Sequence, residues 1–321
     1  MKNVLITGGA GFIGSHLAER LIADGLHVRV LDNLDPYYDP ALKQRNLDLL
    51  RAAGGARFRF VEGDLRDAAA CRGAVADVDV VVHLAALAGV RPSLEDPVRY
   101  MDVNVRGTQL LLEQIEDPSV RFVFGSSSSV YGGNEQVPFD EGQNVDRPVS
   151  PYAASKKAGE VLCYTWHHLH GNPVTCLRFF TVYGPRQRPE MAIHKFARMI
   201  TDGDPIPFFG DGGSRRDYTY VDDIVGGVRA AMERDAGYDI FNLGGAATTS
   251  LSELVAHLEQ ALGKPASLER LPDQLGDVPI TYADVRRAAE HLGYRAETPL
   301  AAGVQKFCRW YVDEKAAGRL D

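Results

Sequence analysis

Three side chains in this sequence of 321 residues have the types and spacing needed to move a proton to or from a hydroxyl group. Tyr152 and Lys156 are four residues apart, and on a helix such residues share one face. A free phenol, with a pKa of about 10, is a weak base at neutral pH, but an adjacent ammonium stabilises the phenolate. The hydroxyl of Ser127 can donate a hydrogen bond to the same group that Tyr152 deprotonates. We therefore predict that Ser127, Tyr152 and Lys156 are catalytic.

A tyrosine and a lysine at this spacing would by themselves be typical of an amphipathic surface helix. The serine run 126–129 favours catalysis, because it directly follows the apolar segment Phe122–Gly125, which has the character of a strand. Ligands of open parallel sheets bind outside the carboxyl ends of the strands. We therefore expect the serine hydroxyls to lie beside Tyr152.

A second pattern, at the N-terminus, is typical of dinucleotide binding. The apolar run Val4–Thr7 leads into glycines at 8, 11 and 14, which permit a tight turn, close approach of a pyrophosphate and close helix packing. The next apolar run ends at Asp32, 18 residues after Gly14. A carboxylate there can accept both ribose hydroxyls and would repel a 2′-phosphate, which favours NAD over NADP. The alternative is a solvated turn aspartate.

Short apolar runs alternate with helical patterns up to about residue 180. The predicted strands are Val4–Thr7, Val28–Leu31, Phe58–Glu62, Val78–Leu84, Phe122–Gly125 and Val174–Phe179. Near-continuous apolar runs indicate strands that are covered on both faces. We predict an α/β fold with a Rossmann-type doubly wound parallel sheet in residues 1–180. A smaller α/β substrate domain would occupy 181–321, with the chain returning to the sheet around 217–245.

Composition and charge restrict the partners and the location. The net charge of −8 and the pI of about 5.6 oppose binding to nucleic acid or to an anionic membrane surface. The N-terminus lacks the pattern of a signal peptide, and no apolar run is long enough to span a bilayer. The cysteines are widely spaced, so we expect reduced thiols, a cytoplasmic protein and no metal site. We expect Tyr37 and Tyr38 to be packing residues and His83 to make a structural hydrogen bond.

Three motifs resemble the extended short-chain dehydrogenase/reductase family, in its NAD-dependent epimerase/dehydratase group. They are TGGAGFIG at 7–14, SSVYG at 128–132 and PYAASK at 151–156, and the resemblance covers essentially the whole chain. The segments DNL at 32–34, YYDP at 37–40, AGVR at 88–91 and FFTVYGP at 179–185 resemble the UDP-glucuronate 4-epimerase branch. The resemblance implies tightly bound NAD, a UDP-sugar substrate and a homodimer built from helices within 98–116 and 152–169.

The motifs and the resemblance together give two sets of predicted binding residues. The cofactor set is Gly8, Gly11, Phe12, Ile13, Gly14, Asp32, Asn33, Asp64, Leu65, Leu84, Ala85, Ala86, Asn104, Tyr152, Lys156, Phe179 and Val182. The substrate set is Gly89, Arg91, Ser127, Ser128, Ser129, Thr181, Arg188, Phe208, Arg216 and Asp277. For Asp64 and Leu65, which would lie against adenine, the alternative is a helix cap for the segment that starts at Asp67.

The serine run separates the reactions that this scaffold supports. Dehydratases of the family resemble one another in carrying Asp-Glu before Val-Tyr-Gly, and decarboxylases carry a glutamate there, whereas this chain has Ser128 and Ser129. The resemblance thus implies 4-epimerisation of UDP-glucuronate to UDP-galacturonate through a 4-keto intermediate, with Tyr152 as acid/base. Thr181 stands where UDP-galactose 4-epimerases usually have asparagine, which favours a uronate, although it could instead satisfy local backbone groups. A UDP-glucose/UDP-galactose 4-epimerase, another dehydratase or decarboxylase, and a catalytically silent dinucleotide sensor are the alternatives.

Overall fold

The computed structural model describes residues 1–235, 237–272 and 279–320. Its strands are, in chain order, β1 (Asn3–Thr7), β2 (His27–Asp32), β3 (Phe58–Glu62), β4 (Val80–His83), β5 (Arg121–Ser127), β6 (Val174–Phe179), β7 (Thr181–Tyr183), β8 (Ile206–Phe209), β9 (Arg215–Arg216), β10 (Tyr218–Tyr220), β11 (Tyr238–Leu243), β12 (Thr249–Ser250) and β13 (Leu268–Leu271). Its α-helices are α1 (Phe12–Ala23), α2 (Pro40–Gly54), α3 (Ala68–Val75), α4 (Val90–Glu95), α5 (Pro97–Met101), α6 (Gly107–Leu112), α7 (Pro151–His170), α8 (Ala192–Asp202), α9 (Val221–Ala231), α10 (Leu251–Leu262), α11 (Arg286–Leu292) and α12 (Leu300–Ala316). Short 3₁₀ helices occur at Gly55–Arg57 and Ser128–Tyr131, and a π-helical turn occurs at Asp102–Arg106.

Seven parallel strands of the described chain form the central sheet, in the order β3-β2-β1-β4-β5-β6-β11. The chain runs outward in one direction from β1 to β3 and in the other from β4 to β11. The strand order therefore reverses between β1 and β4, and ligands of such sheets bind at the carboxyl edge near this point. This topology confirms the predicted Rossmann-type doubly wound sheet.

Alternate side chains of the inner strands enter two separate hydrophobic clusters, one on each face of the sheet. In β1, Val4 and Ile6 belong to one cluster and Leu5 to the other. In β4, Val82 and Val81 divide in the same way. Both faces of the sheet are thus covered, which explains why its strands appear as continuous apolar runs in the sequence.

Four strands differ in length from their predictions, and the differences are largest in β4 and β5, since β1 is one residue longer and β2 two residues longer than predicted. The predicted strand Val78–Leu84 is shorter in the structure, where β4 spans Val80–His83. The strand predicted at Phe122–Gly125 is longer, because Ser126 and Ser127 continue the pairing of β5 with β6. The serine run therefore begins inside the sheet, and its first two residues have a fixed register.

The described residues of the C-terminal part add three two-stranded sheets, which pair β7 with β10, β8 with β13 and β9 with β12. Helices α8 and α12 pack on α10, and their buried side chains continue the hydrophobic cluster on one face of the central sheet. Strand β11 lies within 217–245 and pairs with β6. The division into two domains at residue 180 stays a prediction. None of the helices in the described part of the chain has the length and apolar character needed to cross a bilayer.

The turn after β1 is closed by a direct approach between glycines. Gly8 has a φ of +71°, in the left-handed region that favours glycine. A Cβ atom on Gly14 would overlap the carbonyl oxygen of Gly8 and lie 2.7 Å from the Cα atom of Gly9. The first turn of α1 can therefore pack on the end of β1 only while residue 14 has no side chain.

We expect Gly14→Ala to lower the free energy of unfolding by about 1–3 kcal/mol, the usual cost of an added methyl group in a packed site. Gly73→Ala is the matched control, because Gly73 lies in α3 and its Cβ would meet nothing within 4 Å. This control should raise stability by about 0.5–1 kcal/mol through the helix preference of alanine. Urea unfolding measures both changes, and equal stabilities for the two variants would contradict the close approach.

Candidate active site

A cavity of about 590 Å³ lies at the carboxyl edge of the central sheet. Residues at or just after the ends of five strands line it, namely Gly8, Asp32, Leu84, Ser127 and Phe179. Cavities of roughly 300–1,000 Å³ at such an edge are typical sites for cofactors and small molecules. Residues from the C-terminal part, including Arg188 and Arg216, complete the wall.

The glycine turn forms one end of the cavity. Gly8 donates its N–H to the carbonyl of Leu31 (2.9 Å), and Gly11 donates to the carbonyl of Gly8 (3.1 Å). Helix α1 begins at Phe12, and no side chain caps it through a hydrogen bond. Its first N–H groups therefore face the cavity at a helix N-terminus, where the dipole favours an anion such as a pyrophosphate.

The carboxylate of Asp32 lies beside this turn at the end of β2. One carboxylate oxygen accepts from the N–H of Ala10 (3.1 Å) and the other from the N–H of Leu34 (2.9 Å). Burial raises the pKa of Asp32, while Lys43, with its Nζ 3.9 Å from Oδ1, acts in the opposite direction. Each carboxylate oxygen keeps a second lone pair that a ribose hydroxyl could use.

Asn33, Asp64 and Leu65 line the cavity next to Asp32. The Asn33 amide donates to Asp64 (2.8 Å), and hydrogen bonds from Arg66 hold the pKa of Asp64 well below its usual range. Helix α3 is capped by the side chain of Asp67, which accepts from the N–H of Ala69 (2.8 Å). Asp64 and Leu65 are therefore not the helix cap that the sequence left as an alternative.

The three predicted catalytic residues come together at the other end of the cavity. Ser150 caps α7 by accepting from the N–H of Ala153 (3.1 Å), which places Tyr152 in the first turn. The hydroxyl of Ser127 lies near the phenol of Tyr152 and opposes the increase in its pKa. One turn later in α7, Lys156 Nζ donates to the carbonyl of Gly125 (2.7 Å). Helix α7 and strand β5 therefore bring all three side chains together.

Burial acts on the two titrating groups of this set in ways that leave both protonated at neutral pH. Burial raises the pKa of Tyr152, while the hydrogen bond to Ser127 and the charge of Arg188 oppose the increase. Burial lowers the pKa of Lys156 to about 8. The charge of Arg188 thus acts on the phenol as well, and the role of Lys156 as a cation beside Tyr152 stays a prediction. Tyr152 is thus a neutral phenol unless further positive charge approaches it.

A short 3₁₀ helix after β5 presents Ser128 and Ser129 to the cavity, opposite Thr181 at the start of β7. The N–H of Ser129 donates to the hydroxyl of Ser127 (3.2 Å). The hydroxyl of Ser129 is buried and has no hydrogen-bond partner among the described residues. A buried hydroxyl without a partner is costly, so a ligand at this position would gain a ready donor.

Three arginines line the same cavity, which makes it suitable for an anionic ligand. Arg188 pairs with Glu190 (Nη1 to Oε1, 3.1 Å), and its guanidinium lies 5.6 Å from the ring centroid of Tyr37. The guanidinium of Arg91 lies 5.9 Å from the ring of Phe209. Arg216 lies in β9 and donates Nη1 to the carbonyl of Arg215 (2.9 Å). Guanidinium groups bind phosphates through paired donors.

Most of the residues predicted from the sequence line this cavity. The cofactor residues that do so are Gly8, Gly11, Phe12, Ile13, Gly14, Asp32, Asn33, Asp64, Leu65, Leu84, Ala85, Ala86, Tyr152, Lys156, Phe179 and Val182. The substrate residues that do so are Gly89, Arg91, Ser127, Ser128, Ser129, Thr181, Arg188 and Arg216.

Three predicted residues stand apart from this set. Asn104 lies behind the cavity wall, where its amide bonds both backbone groups of Leu87 (2.8 and 2.9 Å) and the hydroxyl of Ser155 (2.9 Å). The side chain of Phe208 is buried in the hydrophobic core, so only its backbone could meet a ligand. Asp277 lies outside the described residues.

Two tyrosines were predicted to be packing residues, but both line the cavity. Tyr37 donates its hydroxyl to the carbonyl of Ala88 (2.7 Å), and the guanidinium of Arg188 lies 5.6 Å from the centroid of its ring. The ring of Tyr38 lies 5.0 Å from the Nζ of Lys43. Their position a few residues after the end of β2, at the sheet edge where ligands bind, could have indicated from the sequence that they line the cavity.

His83 makes the structural hydrogen bonds that its position predicted. Its Nδ1 lies 2.7 Å from the hydroxyl of Thr7, and its Nε2 lies 2.8 Å from that of Thr108. Burial lowers the pKa of His83 to about 3, so the ring is neutral. Over residues 1–235, 237–272 and 279–320, the His, Cys, Asp and Glu side chains form no cluster of three that could hold a metal.

Comparisons with known proteins agree with this geometry. The model of the NAD dependent epimerase/dehydratase family matches residues 4–244. The UDP-glucuronate 4-epimerase of Thermodesulfobacterium geofontis is 41% identical over 314 residues, which cover 97% of this chain and 96% of that protein.

Two crystal structures share the fold over nearly their whole length. The UDP-glucuronic acid 4-epimerase of Bacillus cereus, in complex with UDP-glucuronic acid and NAD, matches with a TM-score of 0.91 at 35% identity, over 97% of this chain and 99% of that one. The dTDP-glucose 4,6-dehydratase of Streptomyces venezuelae matches with a TM-score of 0.90 at 32% identity, over 98% of each chain. The fold alone thus does not select the reaction. The family match and the full-length similarity confirm the resemblance in the motifs, and the chain belongs to the NAD dependent epimerase/dehydratase family.

Proposed function

We propose that this protein is a UDP-glucuronate 4-epimerase, which uses bound NAD to convert UDP-glucuronate into UDP-galacturonate through a transient 4-keto sugar. The observation that carries the proposal is the distribution of acidic groups in the cavity. Among the described lining residues, the carboxylates are Asp32, Asp35 and Asp64, which follow β2 and β3. The Ser127–Tyr152 pair at the other end has serine hydroxyls beside it instead.

The absence of a carboxylate among the described cavity-lining residues beside this pair restricts the reaction. Expulsion of water from the sugar needs an acid and a base in addition to the group that oxidises C4. A serine hydroxyl does not act as an unassisted base at neutral pH, so Ser128 and Ser129 cannot replace them. Oxidation at C4 followed by return of the hydride to the other face needs only Tyr152 and the cofactor. The curated and solved relatives with this activity support the same choice.

The cavity fits NAD at the end formed by the glycine turn. Gly11 lines the cavity and has no side chain to keep a pyrophosphate away from its backbone. Asp32 would accept the adenosine ribose hydroxyls, and Asn33, Asp64 and Leu65 would contact adenine. The nicotinamide end would lie against Leu84, Ala85, Ala86, Phe179 and Val182. Bound NAD supplies the hydride acceptor and donor for the sugar carbon, as well as positive charge beside Tyr152.

Three side chains would move and hold the proton of the sugar hydroxyl. Tyr152 accepts it as the carbon is oxidised and returns it when the carbon is reduced. Lys156 stabilises the phenolate electrostatically and contacts the nicotinamide ribose. Ser127, whose hydroxyl lies near the phenol, polarises the same sugar hydroxyl. Tyr152 must be a phenolate to accept this proton, and the positive charge that bound NAD would supply beside it opposes the increase in pKa that burial causes.

The hydroxyl groups of Ser128, Ser129 and Thr181 would hold the sugar carboxylate. A 4-keto uronate loses CO₂ when the carboxylate bond aligns with the π system of the ketone. Hydrogen bonds from Ser128, Ser129 and Thr181, assisted by the backbone near Gly89, would keep the carboxylate out of this alignment. The partnerless hydroxyl of Ser129 supports this role, since a carboxylate oxygen would complete its hydrogen bonding.

The UDP group would lie at the C-terminal side of the cavity. Arg188 and Arg216 would bind the diphosphate and nucleoside, and Arg91 is a further cation on the same wall. The backbone at Phe208 would meet uracil, and Asp277 would reach a ribose. Arg188 would exchange its present contact with Glu190 for the diphosphate.

We also propose that the enzyme is a cytoplasmic homodimer. Its four cysteines are free and buried, which suits a reducing compartment. Helices α5 and α7 pack together and expose large apolar side chains on their outer faces. Val98 is 77% exposed and Val161 50% exposed, and Tyr164 and Leu169 extend the same apolar surface along α7. A second copy of this surface would cover them in a bundle of four helices.

The purified protein should convert UDP-glucuronate into UDP-galacturonate while keeping NAD bound. Tyr152→Phe should keep fold and cofactor but lose about 10²- to 10⁴-fold in turnover, because a positioned acid/base contributes this much. Chromatographic separation of the sugar nucleotides measures turnover, and the absorbance of nucleotide released by denaturation measures NAD. Near-normal turnover in the variant, or NADP in the wild type, would contradict the assignment.

Alanine at Ser128, Ser129 and Thr181 should weaken uronate binding and free the keto acid to lose CO₂. Each lost hydrogen bond to a charged group costs about 1.5–3 kcal/mol, which corresponds to roughly a 10- to 100-fold higher KM for UDP-glucuronate. We also expect a UDP-4-keto-pentose by-product, detectable by mass spectrometry. Ser119→Ala, on an exposed loop, is the control and should change neither. Unchanged KM and no CO₂ from all three variants would show that the sugar carboxylate binds elsewhere, and Arg91 would be the next candidate to bind it.

Arginine at Val98 and Val161 should convert the dimer into monomers, because two buried positive charges would face their copies across the interface. Val312→Arg is the matched control, since Val312 is 47% exposed on α12, away from this surface. Light scattering measures the molecular mass of each protein. A monomeric wild type, or dissociation by the control alone, would refute the proposed interface.

A further inference from the structure

A buried ion pair lies directly behind the proposed catalytic residues. Glu160 of α7 and Arg178 of β6 are each 1% exposed. Arg178 donates Nε to Oε1 (2.8 Å) and Nη2 to Oε2 (2.9 Å), so the pair is bidentate. The hydroxyl of Ser126 donates to Oε1 of the same carboxylate (2.8 Å).

The hydrogen bonds continue from Arg178 in one direction only. Its Nη1 donates to the Tyr131 hydroxyl (3.0 Å), which therefore uses its own proton to bond Asn242 Oδ1 (2.7 Å). The Asn242 amide donates in turn to the carbonyl of Phe139 (2.8 Å). Tyr131 also stacks on Phe139, with ring centroids 4.7 Å apart, and Phe139 lines the cavity. The Asn242 amide nitrogen also donates to the carbonyl of Asp284 (3.2 Å), so the network ends on two backbone carbonyls.

Three members of this network lie close to residues of the proposed site. Ser126 precedes Ser127 in β5, and Glu160 lies one turn after Lys156 and two turns after Tyr152 on α7. Tyr131 ends the 3₁₀ helix that carries Ser128 and Ser129. The network therefore joins the three elements that carry the proposed catalytic and carboxylate-binding groups.

Stability alone does not account for a buried pair of this kind. Removing two charges from water costs about as much as their attraction returns, and well-packed apolar replacements are often as stable or more so. A directional network does, however, select one arrangement of its partners. The bond from Ser126 to Glu160 and the bond from Lys156 to the Gly125 carbonyl tie β5 to α7 at two points one turn apart.

We propose that Glu160 and Arg178 are positioning residues, which act through Ser126 to hold Ser127 against Tyr152. The inference rests on the proposed function, because the turnover of the epimerase reports the geometry of the Ser127–Tyr152 pair. Without the bond to Glu160, the end of β5 can shift relative to α7. A displacement of about 1 Å at a reacting pair can cost about 10²-fold in rate.

Ser126→Ala removes the hydrogen bond from β5 to Glu160 while leaving the Glu160–Arg178 ion pair intact. We expect kcat to fall by about 10- to 100-fold, with KM for UDP-glucuronate and NAD content unchanged. Since the bond with Ser127 lowers the pKa of Tyr152, its loss should also move the rising limb of kcat to higher pH. Thr201→Ala is the control, because it removes a hydroxyl that bonds Ala197 (2.7 Å) in α8, away from the cavity. Wild-type kcat and pH profile in Ser126→Ala would overturn the proposal.

A second comparison separates positioning from stability. Glu160→Gln should lower both the Tm and kcat, because Arg178 loses its charged partner. The double variant Glu160→Leu/Arg178→Met removes both charges, and we expect its Tm to return towards the wild-type value while kcat stays at least about 10-fold low. Recovery of kcat together with the Tm would show that the pair serves stability alone. If the wild type itself does not epimerise UDP-glucuronate, the proposed function fails and not this inference.

Discussion

Lys156 is 5% exposed, and the hydrogen bond from its ammonium group to the carbonyl of Gly125 fixes how α7 lies on β5. A buried cation needs such a partner, because an unsatisfied charge in the interior is costly. The bond sets the position of Tyr152 one turn earlier on the helix, and with it the contact to Ser127. The 3₁₀ helix that carries Ser128 and Ser129 continues from β5, so the same contact also fixes its position. The arrangement of the substrate end of the cavity thus depends on one strand–helix register.

The cofactor end and the reacting end of the cavity are built from different elements, which explains why the same fold can serve different reactions. The cofactor end is built from the ends of β1 and β2, whereas the reacting end is built from β5 and α7. Side chains in the short helix after β5 can change without disturbing the glycine turn or Asp32. Serines at 128 and 129 provide donors and no strong base, so oxidation and reduction at C4 is the chemistry that they allow. The dehydratase with the same fold illustrates how little of the scaffold this difference requires.

The sequence predicted the sheet and most of the cavity because their signals are local. Glycines at 8, 11 and 14, an aspartate at the end of the next strand, and a tyrosine and a lysine one turn apart are each readable within a short segment. Asn104 was placed with the cofactor, but its side chain instead holds the backbone of Leu87, which depends on long-range packing. Tyr37 was taken for a packing residue, since its contacts with Ala88 and Arg188 join distant segments. The pairing of Glu160 with Arg178 likewise needed the observed register of α7 against β6.

The central claim is that hydride leaves C4 of UDP-glucuronate and returns to the same carbon without leaving the active site. Incubation with UDP-glucuronate carrying deuterium at C4 tests this claim most directly, with the products resolved by mass spectrometry and NMR. We predict that the UDP-galacturonate formed retains deuterium at C4, with no label in the solvent and no net NADH. Release of the label to water, or accumulation of NADH with an oxidised sugar, would contradict the account.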